Sequence, residues 1–268
     1  MSDTKERVVS TLIEEWAAID GLLSRFSPER WTLPTCLPGW RITDVVAHLI
    51  GTEAMLAGDG TPDTGVDVKA LPHVHNDIAA INEQWVQALR DESPAAMLAR
   101  FREVTARRGA QLEQMSQSDF DAPSWTPAGQ ATYARFMRIR IFDCWMHEQD
   151  IRAVVGMPGN EDGDAAEASL EVAGGALGYL VGKRAAAPDG TTVRIELTGP
   201  LRRRLTVVVD GRARLVDDAP EPPTAVLRMS SSRYLRLGGG RTDDRENVEL
   251  GGDQVLARRI LDNLDFTL

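Results

Sequence analysis

Arg140, Asp143, His147 and Asp150 fall at i, i+3, i+7 and i+10 of an otherwise apolar stretch, and this stripe constrains the chain more than any other feature. From Ala131 to Val155 the sequence reads as one long helix, with Met137, Ile139, Ile141, Phe142, Trp145, Met146 and Ile151 spread round most of its circumference. A helix that is apolar on most sides is a buried one. Buried charges are costly unless paired or bound to a metal, so ionisable groups on one stripe of such a helix need a common partner. Either Arg140 pairs with Asp143 and His147 with Asp150, or the stripe faces a functional cavity; both can hold together.

A lone histidine on an apolar helix is more often a core residue than a ligand, but here the neighbours matter. Asp143 and His147 are one turn apart on one helix face, and His48 sits in a second apolar helical segment, Thr-Asp-Val-Val-Ala-His-Leu-Ile. His48, Asp143 and His147 together offer two nitrogens and an oxygen, which leaves a position open, as in catalytic rather than structural zinc sites. Asp150, one turn beyond His147, is placed to fix the tautomer of a ligating imidazole. Arg140 is the first candidate to meet a substrate carboxylate, because guanidinium binds carboxylate bidentately; an ion pair with a bundle carboxylate is the competing reading. His73 and His75 form a rival pair, but they follow a proline and lack a cysteine or acidic partner at a ligand spacing, so they read as a loop or cap element. Trp40 and Trp145 flank the two ligand motifs as aromatic packing.

The chain has 268 residues, a net charge of −10 and two cysteines, Cys36 and Cys144. Its length favours two domains. The acidic balance argues against a nucleic-acid footprint, and no apolar run is long enough to span a membrane. Two cysteines make no disulfide framework; both read as reduced thiols of a cytoplasmic protein, with structural rather than catalytic roles. The N-terminus lacks a signal-peptide layout.

The organisation changes near residue 157. Before it, helices are expected over about 3–24, 43–57, 75–90, 94–115 and 130–155, separated by turn-forming Gly, Pro and Asp clusters, and no strand pattern is seen. Long amphipathic helices with short connectors pack as an up-down four-helix-type bundle, which builds metal sites from inward-facing side chains. From 158 to 268 the pattern is α+β: a helix over 164–184, alternating strands at 192–198 and 204–209, a further run at 224–229, a helix start at Ser230–Ser232 and a last helix from Gly252-Asp253 to about Leu264.

Three segments carry a family resemblance: Leu-Pro-Gly-Trp followed by Asp-Val-Val-Ala-His-Leu-Ile, then Asp-Cys-Trp-Met-His-Glu-Gln-Asp-Ile-Arg, then the ending Gly-Gly-Asp-Gln-Val-Leu-Ala-Arg-Arg-Ile-Leu-Asp-Asn-Leu. In this order they resemble the mycothiol-dependent maleylpyruvate isomerase family. The resemblance implies a DinB-like metal-binding bundle over 1–157 and, over 158–268, a small α+β domain similar to sterol carrier proteins. It also implies a divalent, zinc-type ion on His48, Asp143 and His147, with mycothiol as cosubstrate and a small electrophile as substrate. The family is thought to use an arginine of the second domain, and Arg241, in Gly238-Gly-Gly-Arg241, is the candidate here. The characterised isomerase carries glutamate where this chain has Asp143, so the sequence favours transfer of the thiol to an unassigned electrophile, with maleylpyruvate-type cis-trans isomerisation as the alternative. A carrier or noncatalytic metal-binding protein is the third reading.

Overall fold

The computed structural model describes residues 4–219 and 221–267, which form two compact units, Met1–Gly159 and Asn160–Leu268. The first unit is built on α1 (Lys5–Leu23), α2 (Pro28–Trp31), α3 (Ile42–Leu56), α4 (Asp77–Leu89), α5 (Pro94–Gln114), α6 (Gln117–Asp121) and α7 (Tyr133–Val155). Of these, α1, α5, α3 and α7 close a ring of four packed helices, and α4 lies against α3. Leu12, Ile19, Val45, Val46, Leu49, Met97, Phe101, Leu112, Met137 and Ile141 fill its interior.

The helix boundaries follow local chemistry. Ser93 caps α5 through its side chain and Pro94 occupies the first turn, where a missing N–H costs nothing; Thr132 accepts from Arg135 N to start α7, and Gly156 ends it at φ 65°. The start of α7 differs from the sequence expectation by three residues, because an antiparallel hairpin, β1 (Pro123–Thr126) and β2 (Gly129–Thr132), precedes it. No strand was expected in this half. The hairpin is too short to show alternation: Pro127 and Gly129 signalled a turn, and Thr126 Oγ1 secures it by donating to Gly129 O at 2.8 Å.

One glycine sets the spacing of α3 and α4. A Cβ on Gly51 would lie 2.3 Å from Trp85 Cγ and 2.5 Å from Trp85 Cβ, so the indole base occupies the space a side chain would need. Gly51→Ala forces the helices apart and is expected to cost about 1–3 kcal/mol, the usual range for overpacking. Denaturant unfolding of the variant measures it; an unchanged midpoint would show that the two helices yield freely.

The second unit carries α8 (Asp164–Tyr179), continued by a π-helical turn at Leu180–Arg184, then β3 (Thr192–Thr198), β4 (Arg203–Asp210), β5 (Arg212–Val216), β6 (Ala225–Ser230), α9 (Ser231–Gly238), β7 (Glu249–Gly252) and α10 (Gln254–Leu261). The sheet order is β5-β4-β3-β6-β7, antiparallel except for the central β3–β6 pair. Val193, Ile195 and Leu197 align with Ala225, Leu227 and Met229 on one buried face, and α8, α9 and α10 pack against the sheet. The expected β3–β4 pair is present. The edge strands β5 and β7 were missed because Arg-Ala-Arg-Leu-Val and Glu-Leu-Gly-Gly are charged or glycine-rich, as edge strands tend to be. Among the described residues no helix is long and apolar enough to cross a membrane.

Candidate metal centre

Two helices supply the centre. His48 projects from the middle of α3, and Asp143 and His147 from one face of α7; one ligand atom from each lies within 4.8 Å of the others. His48 Nε2 is 3.1 Å from Asp143 Oδ2, and His147 Nε2 is 3.6 Å from Asp143 Oδ1. Both imidazoles are 5% exposed, whereas the Asp143 side chain is 29% exposed, so the cluster opens to solvent on its carboxylate side. Among the described residues this is the one such grouping of histidine, cysteine and acidic side chains.

The protonation states suit a cation. Burial, helped by the neighbouring His147 and Arg140, lowers the pKa of His48 against the opposing pull of Asp143, which favours the neutral imidazole that metals bind. Burial alone would raise Asp143, but the Arg140 guanidinium above all, with the neighbouring imidazoles and the His48 hydrogen bond, outweighs it and holds the carboxyl well below its usual range. An ionised Asp143 accepts only, so in the absence of a cation His48 Nε2 carries the proton and donates to it. The Nδ1 atoms of His48 and His147 are buried and make no hydrogen bond. Asp150 Oδ2 stands 3.3 Å from His147 Nδ1, behind the ring, so a small rotation gives the carboxylate–histidine arrangement that leaves Nε2 free as a ligand. The donor set therefore fits a borderline divalent ion such as zinc, with His48 lacking a carboxylate behind it.

Arg140 is 4% exposed and deeply committed. Its Nε and Nη2 donate to Glu53 Oε1 at 3.0 and 2.8 Å, Nη1 donates to Asp143 Oδ2, and Nη2 reaches Cys144 Sγ at 3.5 Å. The other Glu53 oxygen takes Arg108 Nε at 3.3 Å, and Arg108 also bonds the Tyr133 hydroxyl. Two buried guanidinium groups are thus balanced by Glu53 and Asp143, and Arg140 lies within the stripe as the partner of Asp143. Burial pushes the Cys144 thiol well above its usual pKa, which suits packing rather than nucleophilic work. Cys36, on the exposed loop before α3, donates to Asp150 Oδ1 at 3.2 Å.

Trp40 covers the cluster, its ring centroid 5.4 Å from that of His48 and 6.2 Å from that of His147. Trp145 is 2% exposed in the core. His73 and His75 do not converge on a ligand position: His73 Nε2 donates to Glu83 Oε2 at 3.0 Å, and His75 is exposed. Arg241 belongs to the second unit, just after α9, where its guanidinium donates to Gly239 O at 2.6 Å. Sequence reading missed Glu53 and Glu83. Glu53 lies five residues after His48 on the largely buried α3 and Glu83 lies among the apolar residues on the inner face of α4, which was the available signal.

Residues 12–152 match the family model described as the mycothiol maleylpyruvate isomerase N-terminal domain, and residues 167–259 match the model of the C-terminal domain of that family. An uncharacterized protein of Mycobacterium tuberculosis, found in two strains, is 24% identical over 151 residues, or 56% of this chain and 56% of its own length. The chain's match thus spans about half the length of these curated relatives. The crystal structure of the mycothiol-dependent maleylpyruvate isomerase is similar with a TM-score of 0.58 at 17% identity, and that of its histidine-to-alanine mutant with 0.59 at 16%, each over 92% of both chains. At that identity the likeness speaks for the fold.

Proposed function

Because the chain belongs to the mycothiol maleylpyruvate isomerase family, we propose that it is a metal-dependent, thiol-using catalyst of the cis-trans isomerisation of a small unsaturated oxo acid of the maleylpyruvate type. The observation that carries this reading is the convergence of His48, Asp143 and His147 on one point at the open side of the bundle.

When bound, a divalent ion supplies acidity to a thiol, giving a thiolate at neutral pH without a dedicated base. The chain's own groups prepare for it. Burial favours the neutral imidazole of His48, Arg140 fixes the Asp143 carboxylate, and Trp40 shields both imidazoles from water. Arg140, fixed beside Asp143, would add positive charge next to a bound cation, which suits an anionic thiolate and a carboxylate substrate. The thiolate sulfur adds to a carbon of the cis double bond conjugated to the carbonyl, and the electron pair moves to the carbonyl oxygen. Rotation about the resulting single bond and return of the pair expel the same thiolate and leave the trans isomer.

Thiol transfer, which the sequence favoured because Asp143 is one methylene shorter than glutamate, gives way to isomerisation here. The shorter carboxylate reaches 3.1 Å from His48 and 3.6 Å from His147, so its length does not keep it from the cluster. Arg241 is carried in the proposal as a second catalytic cation on the resemblance alone.

The test is conversion of maleylpyruvate to its trans isomer by zinc-loaded protein, followed by NMR with and without mycothiol. Expected are a strict need for the thiol and, in His147→Ala, a rate lower by about 100-fold or more, since losing a metal ligand costs more than the roughly 10–100-fold of losing a partner that orients one. Consumption of the thiol into a stable adduct would return thiol transfer to first place; conversion without thiol would overturn the proposal.

A further inference from the structure

The Trp40 indole stands over both candidate ligand histidines, tilted 40° to the His48 ring and 32° to the His147 ring. It comes from the loop before α3, where Thr35 N and Thr35 Oγ1 both donate to Trp40 O at 2.9 Å and pin the backbone. Its side chain is held from another element. Trp40 Nε1 donates at 2.9 Å to Glu83 Oε2 on α4, and that carboxylate is 0% exposed although it takes no part in the metal cluster.

A carboxylate withdrawn from water needs donors on both oxygens. Glu83 has them: Trp40 and His73 Nε2 on Oε2 and Gln87 Nε2 at 2.6 Å on Oε1; the Arg90 guanidinium, 3.6 Å from Oε1, adds an ion pair without a hydrogen bond. Arg90 is itself held by Asp44, at 3.0 Å, so Glu83 is not needed to neutralise it alone. His73 in turn is packed on Gly39, whose Cβ would lie 3.0 Å from His73 Nδ1, next to Trp40 in the chain. The loop, the indole and the carboxylate therefore form one closed unit, and a charged acceptor gives the indole N–H a stronger and more directional hold than a neutral one.

We infer that Glu83 is a positioning residue of the metal centre, setting the angle of the Trp40 wall over His48 and His147. The inference rests in part on the metal reading, but the geometry it concerns exists without a cation. Glu83 acts through Trp40 and touches neither imidazole, so its effect must vanish when the indole N–H is removed.

The experiment reads the imidazole proton signals of His48 and His147 by heteronuclear NMR in the wild type, Glu83→Gln, Trp40→Phe and the double variant, first without metal and then with added zinc chloride. Expected are shifted signals for both histidines in Glu83→Gln, zinc binding weakened about 10–100-fold, the range for partners that orient ligands, and no further change when Glu83→Gln is added to Trp40→Phe. Unmoved His48 and His147 signals in Glu83→Gln, or zinc losses that multiply in the double variant, would overturn the inference. If Glu83→Gln does not fold, Glu83→Asp keeps the charge beside Arg90 and withdraws the acceptor from Trp40, and the same shifts decide. A wild type that ignores zinc would refute the metal reading while the metal-free shifts still judge Glu83.

Discussion

Replacing Glu53 with leucine is expected to destabilise the bundle by about 3–5 kcal/mol, the cost of breaking a buried ion pair from one side. Glu53 is 0% exposed and its two oxygens serve two guanidinium groups, Arg140 at 2.8 and 3.0 Å and Arg108 at 3.3 Å. Leucine fills the volume but leaves Arg108 and Arg140, 2% and 4% exposed, with Asp143 as the anion at hand. Arg108 keeps Gln111 and the Tyr133 hydroxyl, which are neutral acceptors and cannot balance its charge. Chemical denaturation measures the loss. A cost below about 1 kcal/mol, typical of an exposed pair, would mean that water reaches these groups.

Asp143→Asn is expected to weaken zinc binding by more than about 100-fold, beyond the range for groups that merely orient ligands, and to lower the stability of the metal-free protein by about 1.5–3 kcal/mol, the usual worth of a hydrogen bond to a charged group. The amide keeps the shape of the carboxylate and removes its charge. The pH dependence has a definite sign. Asp143 is held well below its ordinary 3.8, so its pairing contributes in full above that value and is lost as pH falls from there through the lower folded pKa. The Asn variant lacks this contribution, and its stability relative to wild type should therefore recover as acid protonates the native carboxyl. Isothermal titration with zinc and denaturation across that pH window test the two parts separately; unchanged zinc affinity would remove Asp143 from the ligand set.

Much of this was legible in the sequence because the informative residues lie on long periodic helices. The stripe on α7 could be drawn from spacing alone, and Arg140 with Asp143, and Asp150 behind His147, stand where helical geometry puts them. What spacing could not supply is the partner across the bundle. Glu53 shares α3 with Asp44 and Glu83 shares α4 with Asp77, and nothing in the spacing singles either out until α3 meets α7 and the loop carrying Trp40 meets α4. The hairpin before α7 and the strands β5 and β7 were hidden for another reason: each is four or five residues long and is stabilised by pairing rather than by its own pattern. Arg140 shows the limit on roles. Its placement and its pairing with Asp143 were readable as one of two alternatives, but that Glu53 takes the rest of its guanidinium depended on the packed structure.

The most direct test of the metal centre is elemental analysis of protein purified without a histidine tag, beside His48→Ala prepared identically and both reconstituted with zinc. Close to one zinc per wild-type chain is expected, lost in the variant, since His48 supplies one of the candidate ligands. No bound metal in either protein, or equal metal in both, would contradict it and leave the stripe on α7 as a buried salt-bridge network.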